Sequence, residues 1–423
     1  MTTLIYLTFL ILEPQTSQFV APKSSDALKI AQNGHAGERP KVLEPIHPNM
    51  RTIDVPIVQL GKEIETHIRD SFFDQKISER WLQKNAGFAA NISTRDIFNS
   101  QTKKRLRELG TSHTAYFTPD DFEYYHMLAV FQQIHAPKGV SAYSIGVDFA
   151  LEAEGWFARR VFSGSAAEQA GLQRGDRILT LGGKRFEGVK SFRGLAEGAL
   201  VELEVQQSRG AKPVTMKVKV SFVDPKQEWL TEIERGSKLL PVGDRKVGYL
   251  PVFSGAGREV EDAVRDVMSQ KLAQADALIV DFRDGYGGCG PTFVDLFHVQ
   301  TPVLSQRGRG GQELKLDLHW RKPLVLLING GSRSGKEMVA YSLKKHKRAH
   351  LIGERTAGAV VAGKAILLSD RSFLYLAAMD VRIDGERLEG KGVEPDIVVP
   401  DSFPFANGKD PQFEAALKFA AGK

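Results

Sequence analysis

The segment "GGSRSGKE" (Gly330–Glu337) follows the apolar run "PLVLLIN" and precedes a helical pattern that starts at Gly335. A strand, a glycine turn and a helix in that order aim backbone N–H groups at an anion. Two chemistries use such a turn: phosphate binding, or stabilisation of an oxyanion beside a serine that attacks a carbonyl. A phosphate loop needs Ser or Thr after its Gly-Lys, because that hydroxyl coordinates magnesium. Here the position is Glu337, which would repel phosphates, and the best acidic strand end, Asp281 in "ALIVDF", precedes the loop instead of following it. The turn therefore reads as presenting Ser334, with Ser332 a step further from the helix start.

The elements that must position this serine belong to a chain of 423 residues, long enough for two or three domains. Its 57 basic and 51 acidic residues leave a net charge of +6, too slight to argue for nucleic acid without a concentrated patch. The densest basic run, "KKHKR" (Lys344–Arg348), closes a predicted helix, where cations offset the carbonyl end of the dipole. One cysteine, Cys289, excludes an intramolecular disulfide framework and a multi-cysteine metal site, and it reads as a small packing residue. The ten histidines show no metal-ligand spacing, so no metal or other cofactor is expected. The apolar "LIYLTFLIL" (Leu4–Leu12) fits an export signal and is too short to span a bilayer. No Lys or Arg precedes it, so a mis-set start or a buried segment is the alternative. An extracytoplasmic location, periplasmic or secreted, is the expectation, without a stable transmembrane anchor. Nothing in the sequence speaks to oligomeric state.

From about Pro14 to Pro48 the chain is rich in Pro, Gly and Ser and reads as linker. Residues 51–138 show helical periodicity, interrupted by the loop-like "LGTSHTAYFTPDDF". Short strands follow over 139–223, among them "SIGVDFAL", "WFARRVF" and "LVELEVQQ", with one helix-like insert, "SAAEQAGLQRGD". From 224 to 401 strands alternate with helices, which argues an α/β layer: "KVGYLPV", helix "REVEDAVRDVMSQKL", "ALIVDF", helix "PTFVDLFHV", "PLVLLIN" and the helix from Gly335. The stretch "FLYLAAMDVRIDGERLEGKGVEPDIVV" is strand-rich, and a tail helix, "DPQFEAALKFAA", lies within 402–423.

Two resemblances sharpen this reading. "SIGV" with "GSAAEQAGLQRGDRILTLGGK" resembles a PDZ domain, in which an extended peptide adds to a sheet edge. The resemblance implies capture of a peptide carboxylate by backbone amides near Ile145, Gly146 and Val147. "INGGSRSGKEMVAYSLKKHKRAHLIGERTAGAV" is similar to the nucleophile segment of the C-terminal processing (tail-specific) proteases and tricorn core proteases, which place their serine in S-x-S-x-x-E. "ALIVDFRDGYGGCG", "LEGKGVEPDIVV" and "SHTAYFTPDDF" are similar to further segments of those families in the same order. The resemblance implies an α/β fold: a crotonase/ClpP-like protease core with an inserted β-rich PDZ domain and an N-terminal helical region. It implies Ser334 as nucleophile, with the amides of Gly287 and Gly335 holding the oxyanion.

The chain departs from the processing proteases at two places. Their dyad lysine has Ala359 at the matching position; Lys336 is too close along the helix to reach back, and Lys364 is displaced. Gly285 stands where Asn is usual in the oxyanion loop. The tricorn branch instead uses a histidine preceded by a serine. That resemblance implies His113 as base behind Ser112, with Glu389 as the acidic member and Glu394 as its substitute. The expected function is serine endopeptidase action on unfolded or tail-exposed proteins, with PDZ-mediated peptide recognition. Partners are then protein or peptide substrates and no nucleic acid. The alternative raised by Ala359 is an inactive homologue that binds peptides.

Overall fold

Residues 45–422, apart from Thr301 and Leu318, are described by a computed structural model. The signal-like Leu4–Leu12 and most of the expected linker lie outside the described residues. The linker's end is not linker: Ile46 is buried and donates its N–H to Gly139 O, while the Tyr125 hydroxyl donates to Pro48 O.

Three amphipathic helices come first: α1 (Ile57–Ser71), α2 (Gln75–Asn85) and α3 (Arg95–Arg107). Asp74 and Thr94 cap α2 and α3 by accepting the N–H of the residue three positions on. The helices bury Leu60, Ile64, Ile68 and Phe98 against Leu374 and Leu376, residues close to the far end of the chain. Inside the expected loop, residues Ala115–Phe117 form strand β1, and α4 (Phe122–Val130) and the short α5 (Gln132–His135) follow.

Strands β2 (Ala142–Ser144), β3 (Val147–Glu152), β4 (Gly155–Val161), β5 (Arg177–Leu181), β6 (Lys184–Arg185), β7 (Leu200–Gln206), β8 (Val214–Lys219) and β9 (Ser221–Val223) form the β-rich region. β2 pairs with β9, and a second, antiparallel sheet runs β3-β4-β5-β7-β8 with β6 on β5. The helix expected between β4 and β5 is a single turn, α6 (Ala166–Gln169), stopped at Gly171, whose φ of 89° no helix continues. The edge strand β3 does not lie open. Val147 to Ala150 are buried, and Phe122 of α4 stacks on Phe149 at 5.1 Å while meeting Trp156 and Phe192 edge-on.

The remaining elements are α7 (Pro225–Gly236), β10 (Lys238–Val242), β11 (Arg245–Pro251), α8 (Arg258–Ser269), β12 (Ala277–Asp281), α9 (Pro291–Asp295), the hairpin β13 (Leu304–Arg307) and β14 (Glu313–Leu316), β15 (Leu324–Ile328), α10 (Gly335–Lys345), β16 (His350–Gly353), β17 (Ala362–Leu367), β18 (Phe373–Met379), β19 (Ile397–Val398) and α11 (Pro411–Ala420). α9 is shorter than "PTFVDLFHV" suggested. The central sheet runs β10-β11-β12-β15-β16-β19, parallel from β11 onward. Every residue of β12 and β15 is buried, as continuous apolar runs require when helices cover both faces of a parallel sheet. Leu278, Val280, Leu326 and Ile328 face Val260, Val264 and Val339 of α8 and α10. Ala277, Ile279, Val325 and Leu327 face Ala416 and Ala420 of α11. The C-terminal helix is thus one face of the core and not a tail.

The basic run at the end of α10 is a paired helix terminus: Lys344 meets Asp396 at 3.0 Å and Lys345 meets Asp384 at 2.8 Å. Among the described residues no helix is long and apolar enough to cross a membrane. Because Leu326 is fully buried at the centre of the sheet, Leu326→Ala is expected to lower stability by about 2–5 kcal/mol, read from the denaturant midpoint.

Candidate active site

Parallel strands end where their loops can converge, and β12 and β15 release the two segments that meet at Ser334. After β15, Ser332 is fully buried; its hydroxyl donates to Phe282 O and accepts the Asn329 N–H. That hydroxyl is spent on holding the turn. Ser334, next on the turn, sits at φ 58° and ψ −127°, a conformation L-residues rarely adopt. Its N–H donates to Ala359 O at 2.8 Å and to the Glu337 carboxylate at 3.2 Å.

Glu337 does more than suit the start of a helix. Its carboxylate also accepts the Thr356 hydroxyl and the N–H groups of Gly358 (2.8 Å) and Ala359 (2.7 Å). One buried side chain thereby ties the Ser334 turn to the segment before β17. Burial raises its pKa, and these donors act against the rise. Its place at the end of S-x-S-x-x-E marks it in the sequence.

The loop after β12 approaches Ser334 at Gly287, where a Cβ would lie 2.4 Å from Ser334 Cβ and 2.9 Å from Gly335 N. Only a residue without a side chain allows this approach. Among the described residues, no protein acceptor takes the N–H of Gly287 or Gly335. Two free donors beside one hydroxyl form a site for a negatively charged oxygen. Gly285, the departure from the family pattern, stands at φ 68°, and a Cβ there would lie 2.0 Å from Phe253 O. Here the loop's path demands glycine.

Ser112 and His113 reach the same cavity, of about 570 Å³, which is also lined by Gly287, Ser334, Ala359 and Tyr375. β1 carries them there by pairing with β18, Ala115 opposite Tyr375. The Ser112 hydroxyl donates to Glu389 Oε2 at 2.8 Å and lies 2.9 Å from His113 Nδ1. Since that single proton points at the carboxylate, the oxygen must accept from Nδ1–H. His113 is then the tautomer with a free lone pair on Nε2. Burial pushes its pKa down to about 4, against the pull of Glu389, so the ring is neutral near pH 7. The Tyr375 ring packs beside it, with centroids 5.2 Å apart.

Glu389 also accepts the N–H of Ser112 at 2.8 Å, of Val360 at 2.7 Å and of Val361 at 3.2 Å. Burial alone would raise its pKa; the donors outweigh it and hold the carboxyl below its ordinary value. Glu394 is exposed and faces Arg355 at 3.8 Å. Neither alternative lysine joins the site: Lys364 Nζ donates to Ser71 Oγ, and Lys336 Nζ points into the core. Cys289 is buried beside Gly335, and burial pushes its thiol up to about 12, which suits packing.

The peptide-capture amides are placed differently from expectation. Ile145, Gly146 and Val147 are buried, and the Gly146 N–H already donates to Ser144 Oγ at 2.7 Å. Ser144 in turn donates to Glu228, whose burial raises its pKa to about 7. While it makes that bond, the Gly146 N–H has no proton left for a peptide carboxylate.

Residues 246–399 match peptidase family S41, and residues 158–207 match a PDZ domain. A carboxy-terminal-processing protease of Bartonella bacilliformis is 30% identical over 258 residues, which cover 56% of this chain and 57% of that protein. A carboxyl-terminal-processing protease of Synechocystis sp. is 25% identical over 380 residues, 84% of each chain. The fold is similar to that of the tricorn protease, with a TM-score of 0.51 and 19% identity over 86% of this chain and 36% of that one. Gly285→Ala, which forces the oxyanion loop away from Phe253 O, is expected to slow modification of Ser334 by a fluorophosphonate by ~10²-fold, followed by mass spectrometry.

Proposed function

We propose that this chain is a serine peptidase of family S41 that carries a PDZ domain and cleaves protein or peptide substrates as follows. The Ser334 hydroxyl attacks the scissile carbonyl carbon and passes its proton to His113 Nε2. The imidazolium keeps its Nδ1–H on Ser112, which keeps its own proton on Glu389; the carboxylate stabilises the new positive charge through the serine. The oxyanion is held by the N–H groups of Gly287 and Gly335. Collapse releases the amine, which takes the proton from His113, and water then repeats the sequence on the acyl-enzyme.

The observation that carries this reading is the hydrogen-bonded chain Glu389–Ser112–His113, which ends in a lone pair on the cavity that Ser334 lines. It supplies a base where Ala359 leaves no lysine. The inactive-homologue reading rested on that alanine alone, and the Glu389–Ser112–His113 chain offers a base in place of the lysine. Substrates are best read as unfolded or tail-exposed chains, in keeping with the tail processing for which the relatives are named. We assign the core to the crotonase/ClpP-like type on its parallel strands β11, β12, β15 and β16 with α8 and α10, extended by α11. Domain limits of 51–138, 139–223 and 224 onward go with that assignment. Peptide addition to β3 would require Phe122 to leave the strand's face. Location outside the cytoplasm rests on Leu4–Leu12.

Ser334→Ala, His113→Ala and Ser112→Ala are each expected to lower kcat on an unfolded protein substrate. The base and its orienting serine should each be worth roughly 10²–10⁴-fold. Full activity of His113→Ala would remove the histidine from the mechanism. The reaction needs His113 unprotonated, so kcat/KM should climb as pH rises through about 4 and stay level above it. A pH–rate profile whose acid limb lies near 6.5 would mean that His113 is not held neutral as described.

A further inference from the structure

The two oxyanion donors come from segments far apart in the chain, and a hydrogen-bond cradle works only if their separation is fixed. Resting on the catalytic reading above, we propose that Lys336 is the positioning residue that locks the Gly287 loop to the Gly335 helix start. Lys336 follows Gly335 directly and is fully buried. Its Nζ reaches back to donate to Asp284 O at 2.8 Å and Phe253 O at 2.9 Å. These carbonyls brace the oxyanion loop. Asp284 opens it, and Phe253 O also accepts the Tyr286 N–H at 2.8 Å, while Gly287 O accepts from Gly255 two residues past Phe253. One side chain therefore spans from the residue beside one donor to both supports of the other.

The cost of placing it there argues for a role. A cation in the first turn of a helix opposes the dipole, and a buried ammonium with no partner carboxylate is expensive. Among the described residues Lys336 makes no ion pair within 4 Å; its ammonium lies over the Phe282 ring at 5.9 Å. Burial pushes its pKa down to about 7, with Cys289, Arg160, Asp281 and Asp284 as the charged or titratable neighbours. Protonated or neutral, an amine keeps at least two N–H groups, enough for both carbonyls. Methionine would fill the same space without donating to either.

The test compares wild type, Lys336→Met and Lys336→Gln, using fluorophosphonate labelling of Ser334 and steady-state cleavage of an unfolded protein. Lys336→Met should lose ~10²-fold in labelling rate and kcat, with KM within about twofold and no fall in Tm. Lys336→Gln, whose amide can donate, should fall between the two and decides the matter if Lys336→Met does not fold. Folded variants that label and turn over within about twofold of wild type overturn the proposal. So does a loss that follows a drop in Tm. A wild type that is not labelled at Ser334 overturns the catalytic reading itself.

Discussion

A hydroxyl has one proton to give, and in Ser112 it goes to Glu389. From that constraint the tautomer of His113 and the free lone pair on its Nε2 follow. The carboxylate is fixed because it accepts N–H groups from Val360 and Val361 as well as from Ser112. The same acceptor that orients Ser112 also joins the N-terminal region to the closing segment of the core. That junction and the β1–β18 pairing bring His113 to the cavity that Ser334 lines, although Ser334 lies more than two hundred residues later in the chain.

Glu337 and Glu389 stand on either side of the segment from Gly358 to Val361 and divide its N–H groups between them. One holds the Ser334 turn, the other Ser112 and, through it, His113. Ala359 contributes its carbonyl to the Ser334 N–H and its own N–H to Glu337, bonds that do not depend on its side chain. The strain at Ser334, with φ at 58°, is held by these bonds in the way functional turns commonly are.

The β-rich region shows a different balance. Its strands follow the alternating pattern of the sequence closely, yet the strand expected to receive a peptide is covered by Phe122 and the amide expected to hold a carboxylate is committed to Ser144. Local pattern specifies a sheet; it says nothing about which distant aromatic ring will settle on the sheet's face. The burial of Ile46 and the packing of α11 on the central sheet have the same origin, since apolar surface is covered by whatever segment the topology delivers.

By itself the sequence determined the parallel core, because unbroken apolar runs such as "ALIVD" and "LVLLI" can be satisfied only by burial on both faces. It also determined the glycine turn before Gly335, since the spacing of Gly, Ser and Glu there serves few other purposes. The order of similar segments brought Ser112, His113 and Glu389 forward as candidates. Only the tertiary structure decided that Glu389 and not Glu394 meets Ser112, that Ser332 is a brace and that Lys336 donates to Phe253 O and Asp284 O. Those choices depend on hydrogen bonds between segments brought together by the fold, and a one-dimensional pattern holds no record of distance between them.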